Sequence, residues 1–286
     1  MSGAAGQSGV ADTVLLADIG NTRIKLAAVV QPAGPSTLPA IGRRQDLVSR
    51  DFRPENFATW LETVAPGPAV VLVAAVHHGA AARLEAVIAE LTVTRRHPVR
   101  QQRITHAHLP IELAVAEPQR VGIDRVAGAA AAAVLRQPGR AAIVVDCGTA
   151  TTVDMVGADG RFLGGAILPG PALLARALAE GTSRLPEVAA LDHELPPAMP
   201  GRSTQEAIAA GIGWGMRGAV ARLVAEARAG GGDAELFLTG GSRGVVRDAL
   251  PGAVEVPDLV LAGIGLAAVR DGSARDSSVR VGSGRG

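Results

Sequence analysis

The chain has 286 residues, a formal net charge of +1, 48% hydrophobic residues and 19% charged ones. That is long and apolar enough for one large or two moderate domains, and it excludes a wholly disordered chain. The near-neutral balance, with no block of like charge, gives no support to nucleic-acid or membrane-surface binding. No apolar run reaches the roughly 18 residues needed to cross a bilayer. The first residues carry neither a basic start nor an apolar signal core, so the expected location is the cytoplasm. Cys147 is the only cysteine, which rules out an intrachain disulfide and a cysteine-built zinc site.

Residues 1–12 are small and polar and read as a disordered start. Residues 15–29, LLADIGNTRIKLAAV, form an apolar run into Asp18, a tight Gly20-Asn21-Thr22 turn, and a second β-rich run through Lys25. Lys25 is the sole lysine in a chain that otherwise uses arginine. A compact ammonium there suits a phosphate as a point charge, although a strand ending in an exposed lysine is also common. A turn-rich QPAGPSTLP connection follows. Residues 56–64 then read as a short helix, 69–76 as a buried strand and 80–91 as a helix, so the first half runs β-β-(β)-α-β-α.

His77 and His78 follow the buried strand. His106 and His108 stand two apart in what reads as an extended segment, where they would share a face, but no third metal ligand lies near in sequence. Residues 117–135, EPQRVGIDRVAGAAAAAVL, read as one helix entered at Pro118, with small side chains that allow close packing against both halves of the chain. Asp124 and Arg125 fall near its start. Asp124 either caps the helix or stands where exposed backbone donors receive an anionic substrate.

Residues 143–154, IVVDCGTATTVD, repeat the first pattern: β-branched residues, Asp146, a Gly148-Thr149 turn, and a returning strand with Thr151 and Thr152. Asp18-Ile19-Gly20 aligns with Asp146-Cys147-Gly148. An internal repeat of this kind implies two related lobes facing across a cleft, one carboxylate from each side. Cys147 reads as a small buried filler.

A hairpin turning at Ala158-Asp159-Gly160 comes next, then the glycine-rich strand GGAILPGP at 164–171 and a helix over 172–180. Residues 185–200 are proline-rich and irregular. A helix from 205 to about 229 carries Gly211, Gly213, Gly215 and Gly218, which cost stability unless a packed partner such as a second subunit uses the space. A strand at 235–238 ends in Thr239-Gly240-Gly241, followed by an expected helix over 243–250. The tail beyond about residue 271 is low-complexity.

Five motifs then stand in order: DIGNTRIK at Asp18, VGIDR at Val121, DCGTATTVD at Asp146, GGAILPG at Gly164 and TGG at Thr239. SRLP at Ser183, GRST at Gly201 and PDLVLAGI at Pro257 accompany them. Over roughly residues 13–270 this set resembles the type III pantothenate kinases, members of the actin-like, Hsp70-like and sugar-kinase-like ATPase superfamily.

The resemblance implies an α/β fold of two ribonuclease-H-like lobes of mixed sheet plus helices, here 13–118 and 119–270, with a cleft between them and a disordered tail at 271–286. It implies ATP-dependent phosphorylation of pantothenate, the first step of coenzyme A synthesis, by a homodimer. Asp18, Ile19, Gly20, Asn21, Thr22, Arg23, Ile24 and Lys25 then match the ATP phosphate loop, with Asp18 near Mg2+ and Thr149 a further nucleotide contact. Asp146 matches the ligand of a monovalent cation, K+ or NH4+. Gly122, Ile123, Asp124 and Arg125 match the pantothenate segment, with Asp124 the proton acceptor; the planar fork of Arg125 suits bidentate pairing with the pantothenate carboxylate. Thr204 matches a substrate contact supplied by the other subunit.

One position departs from the family. A tyrosine that commonly contacts pantothenate is here Val115, and the chain has no tyrosine. Some relatives are described as transcriptional accessory factors, so the alternative expectation is a nucleotide-binding regulator with little kinase activity. A third is a superfamily kinase or phosphohydrolase with another acceptor.

Overall fold

A computed structural model describes residues 12–34, 36–189 and 198–268. The expected tail, the first eleven residues and part of the proline-rich stretch lie outside the described residues. Two five-stranded mixed sheets organise the chain. The first contains β1 (Thr13–Ile19), β2 (Arg23–Gln31), β3 (Ala40–Val48), β4 (Ala69–Ala75) and β5 (Val99–Arg103) in the order β3-β2-β1-β4-β5. The second contains β6 (Ala141–Cys147), β7 (Ala150–Val156), β8 (Phe162–Pro169), β9 (Ala234–Thr239) and β10 (Val254–Glu255) in the order β8-β7-β6-β9-β10.

The two orders are the same topology. In each, the central strand pairs antiparallel with its hairpin neighbour and parallel with a strand that returns through a helix-bearing crossover. The internal repeat read from Asp18 and Asp146 therefore extends to the whole sheet. It also extends to single hydrogen bonds. The Ile19 carbonyl accepts from Val76 N at 3.0 Å, and the equivalent Cys147 carbonyl accepts from Ser242 N at 2.9 Å.

Both central strands are apolar up to the acid near their ends, because both of their faces are covered. In β1, Leu15, Ala17 and Ile19 pack beneath α1 (Pro54–Val64) and α2 (His78–Thr94), while Leu16 faces the middle of the molecule. In β6, Ile143, Val145 and Cys147 face α5 (Thr204–Gly231), while Ala142 and Val144 face inward. The small helix α4 (Pro171–Gly181) packs beside α5.

Between the sheets lie α3 (Ile123–Leu135) and α6 (Leu259–Gly265). Val126, Ala127 and Ala130 of α3 join the cluster that includes Leu16 and Leu72, whereas Ala129, Ala131 and Ala132 join the one that includes Val144 and Phe162. The alanine run thus packs against both sheets, because side chains this small let one helix fill a narrow gap. Close approach reaches the backbone at Gly263, where a Cβ would lie 2.5 Å from the Ala127 carbonyl carbon.

Several expected elements differ. The helix read over 117–135 is a single 3-10 turn at Pro118–Arg120 followed by α3, since the Val121-Gly122 step is extended rather than helical. His106 and His108 are not on a strand but in a 3-10 turn, where His108 Nδ1 accepts from Thr105 N at 3.0 Å and closes it. His106 Nε2 contacts the Val121 carbonyl at 2.9 Å, and His77 Nδ1 caps α2 through Ala80 N. These three rings therefore have local structural partners.

The helix expected over 243–250 is two 3-10 turns, Arg243–Val245 and Arg247–Ala249. Gly244 within it and Pro251 after it shorten the segment below a stable α-helix, and Arg243 Nη1 folds back on the Gly240 carbonyl at 3.1 Å. The strands β5 and β10 were not anticipated. β5 reads VRQQR, too polar to stand out, and β10 has two residues, yet both are the outer parallel strands of their sheets.

Candidate active site between the sheets

Asp18 and Asp146 occupy equivalent places, each one residue before the end of its central strand. Tight turns follow both: Gly20 N donates to the Arg23 carbonyl and Gly148 N to the Ala150 carbonyl, each at 2.9 Å. The two turns meet where Thr22 Oγ1 and Thr149 Oγ1 lie 2.8 Å apart.

Lys25 pairs across its hairpin with Asp18, which sets both side chains on one face of the sheet, and its Nζ lies 3.5 Å from Asp18 Oδ2. Burial disfavours the ammonium, but the charges of Asp18 and Asp146 more than offset it and raise the Lys25 pKa. One lysine on the first lobe thus lies in the field of an acid from each lobe.

Asp146 is pushed up to about 6, first by desolvation, with Asp18, Asp124 and Asp154 adding repulsion and Lys25 opposing it. Asp18 is raised for the same leading reason, and Asp124 adds to it. The three acids from separate segments therefore share one electrostatic neighbourhood.

Asp124 stands in the first turn of α3 without capping it. The N-cap residue is Gly122 with no side-chain cap, and Asp124 Oδ1 accepts from Arg125 N at 2.9 Å. A Cβ on Gly122 would lie 2.5 Å from that oxygen, so glycine there leaves the carboxylate room. Arg125, the next residue, turns to Asp154: its Nε lies 3.0 and 3.2 Å from the two carboxylate oxygens, and its Nη2 also bonds Oδ1. The guanidinium sits over the Phe162 ring, 5.6 Å from its centre. Sequence reasoning left Asp154 without a role. Its signal was a carboxylate on β7 on the same face as inward-packed Val156.

Two glycine motifs are explained by what surrounds them. Gly240, at φ +93°, has no room for a Cβ, which would meet the Cys147 carbonyl and come 2.5 Å from an Asp146 carboxylate oxygen. At Gly165 a Cβ would lie 2.6 Å from Asp154 Oδ1, so GGAILPG lets the acid lie against the edge strand. Cys147 is buried, and desolvation, helped by Asp146, pushes its thiol up to about 12. It is unsuited to nucleophilic chemistry.

Thr204 does not join this cluster. It begins α5 and lines an open apolar groove of about 670 Å3 with Leu174, Leu178, Ile208, Gly211 and Gly215. No Cβ placed on Gly211, Gly215 or Gly218 would meet another atom within 4 Å.

With Asp154 paired to Arg125, the carboxylates of Asp18, Asp124 and Asp146 against the single cation of Lys25 leave the cleft short of positive charge. This donor set of hard oxygens fits cations such as those carried with a triphosphate. Among the described residues, no three His, Cys, Asp or Glu side chains close around one point as a self-sufficient metal site. A cation there would complete its shell with phosphate oxygens and water.

Twin mixed sheets with acid-tipped hairpins facing one another are a fold that solved structures share. A Clostridium difficile activator of 2-hydroxyisocaproyl-CoA dehydratase, solved with bound ADPNP, is similar at TM-score 0.51 and 13% identity, covering 95% of this chain and 100% of that one. A Campylobacter jejuni structure, provisionally described as a Baf family transcriptional activator, gives 0.55 and 18% over 91% and 99%. Likenesses at these identities show the fold alone.

The sequence matches go further. The model of the type III pantothenate kinase family matches residues 14–226. The type III pantothenate kinase of Rhodopirellula baltica is 38% identical over 265 residues, 85% of this chain and 94% of the relative. That of Alkalilimnicola ehrlichii is 41% identical over 202 residues, 69% and 77% of the two chains. The chain belongs to the type III pantothenate kinase family.

Proposed function

We propose that the chain transfers the γ-phosphoryl group of ATP to the primary alcohol of pantothenate, giving 4'-phosphopantothenate at the start of coenzyme A synthesis. One observation carries this reading: Asp18, Asp124 and Asp146, from three separate segments, lie in one field with Lys25 beside them. Family membership supplies the substrates, and the cleft has the parts the reaction needs.

The turn from Asp18 to Lys25 holds the ATP phosphates, with backbone N–H groups and the Asn21 and Thr22 side chains around them and Lys25 as a point charge. Thr149 approaches the same phosphates from the opposite lobe. Asp18 would hold Mg2+, and Asp146 would hold a monovalent cation, K+ or NH4+. When bound, these ions offset negative charge that Lys25 alone does not balance.

Gly122 to Arg125 receives pantothenate. Asp124 orients the attacking hydroxyl in line with the γ-phosphorus and accepts its proton as the oxygen–phosphorus bond forms. Arg125 faces the carboxylate end of the acceptor. Its Nε edge is taken by Asp154, so the carboxylate meets the Nη end rather than the whole fork.

The open groove along α5 supports a homodimer in which small residues let two helices approach, with Thr204 reaching the neighbouring site. Lobe limits of 13–118 and 119–270 and a cytoplasmic location complete the reading. Among the described residues no helix is long and apolar enough to cross a membrane. No specific observation favours a transcriptional accessory factor or another acceptor.

The test is ADP release by purified protein with ATP, magnesium and either potassium or ammonium. Release that requires both pantothenate and the monovalent ion is expected. Release that ignores pantothenate, or follows another small alcohol instead, rejects the assignment.

A further inference from the structure

Asp154 sits in the middle of β7, paired with Val144 on one side and Gly165 on the other, and is 2% exposed. A carboxylate in such a place must be compensated. Arg125 provides two donor nitrogens, and the Thr152 hydroxyl, two residues away on the same face of the strand, further favours the ionised carboxylate. Three neighbours make room for this arrangement. Gly165 lacks the Cβ that would crowd Asp154 Oδ1, the Phe162 ring lies under the guanidinium, and Gly164 at φ +97° turns the edge strand against Val115.

The pairing uses one edge of the guanidinium only. Arg125 Nη1 has no hydrogen-bond partner among the described residues and is not an enclosed atom, and the Arg125 side chain is 16% exposed. Its backbone neighbour is Asp124, whose carboxylate is bonded to Arg125 N. Thus one buried acid fixes the plane of the arginine, and the arginine presents its free end from the turn that carries the proton acceptor.

Val115 belongs to the same corner. It packs with Phe162 and Val121 in one apolar cluster, and its Cγ1 would lie 3.4 Å from a Cβ on Gly164. The position that in the family contacts the acceptor is therefore a neighbour of the Asp154–Arg125 pair. Two separate signals, the arginine end and the Val115 site, converge on one acceptor pole.

We propose that Asp154 is a positioning residue for the acceptor: together with Thr152 it locks Arg125 so that only the guanidinium's Nη end meets the pantothenate carboxylate. This rests on the kinase reading above. An arginine freed from Asp154 would keep its charge but lose its fixed plane, so acceptor affinity would suffer while phosphate binding, on the other turns of the cleft, would not.

Steady-state kinetics of Asp154→Asn, with ATP and pantothenate varied in turn, test the assignment. The variant keeps the shape and loses the charge. The expected result is a KM for pantothenate raised at least about tenfold, with kcat at saturation and KM for ATP within about twofold of the wild type. A merely structural role would lower the melting temperature and active fraction without splitting the two KM values.

If Asp154→Asn does not fold, Thr152→Val decides, with about a threefold rise in the same KM expected and an unchanged value counting against the proposal. An active wild type whose variant shows no KM change, or an equal rise for both substrates, overturns the inference alone. A wild type that phosphorylates no pantothenate overturns it together with the function.

Discussion

The Thr22 and Thr149 hydroxyls, 2.8 Å apart, join two turns separated by 127 positions in the chain. Each turn follows the acid-tipped strand of its own sheet, so at this contact the two halves of the repeat touch. On the proposed reading, a triphosphate lying between the turns would exchange the hydroxyl pair for hydrogen bonds to its own oxygens. Thr149→Val is therefore expected to raise KM for ATP about fivefold to tenfold, with KM for pantothenate unchanged. Separate KM determinations check it, and a change confined to pantothenate would contradict the placement.

Among the described residues Asp124 accepts one backbone hydrogen bond and has glycine at its side, which leaves it open to a hydroxyl. Asp124→Asn should lower kcat by about two to four orders of magnitude while both substrates still bind. Calorimetric titration with pantothenate, beside rates, separates lost chemistry from lost binding.

Asp146 gives the pH dependence. Its folded pKa of about 6 lies above the ordinary 3.8, so the folded chain holds this proton more tightly than the unfolded one. Stability from this group falls as pH rises from about 4 through 6, and above that the buried charge remains a constant cost. Asp146→Asn should thus raise the melting temperature of the ligand-free protein at pH 7.5. Cation affinity has the opposite sign: a protonated Asp146 is a poor ligand, so potassium dependence should weaken as pH drops through about 6. Melting curves and potassium titrations at pH 5.5 and 7.5 check both, and a lower melting temperature for the variant would contradict the first.

The sequence showed these acids through their surroundings rather than their charge. Asp18 and Asp146 were legible because an apolar strand, an acid and a glycine recur in the same order twice, and the sheets repeat that symmetry. The alanines of α3 were legible as a helix packed on both sides because small residues suit a narrow gap. Asp154 was not, since alternation along β7 says which face a side chain takes and nothing about Arg125, twenty-nine positions earlier, reaching it. The outer strands β5 and β10 were hidden for a related reason: parallel pairing is set by distant partners, and an edge strand of polar or very few residues carries little local pattern. At residues 243–250 the order of strand and Gly-Gly turn suggested a helix to follow, but Gly244 and the following Pro251 left 3-10 turns.

Val115 offers a gain rather than a loss. It packs beside Phe162 and Gly164, at a position where the family commonly has a phenol, and a single neutral hydrogen bond is worth about 1 kcal/mol. Val115→Tyr is expected to lower KM for pantothenate about fivefold with little change in KM for ATP. A rise in KM would show that the larger ring does not fit beside Gly164.

The most direct check of the account is mass detection of the product after incubating the wild type and Asp124→Asn with ATP, magnesium, potassium and pantothenate. The account predicts a species heavier than pantothenate by one phosphoryl group in the first reaction and almost none in the second. Equal product from both proteins, or none from the wild type while ATP is still bound, would contradict it.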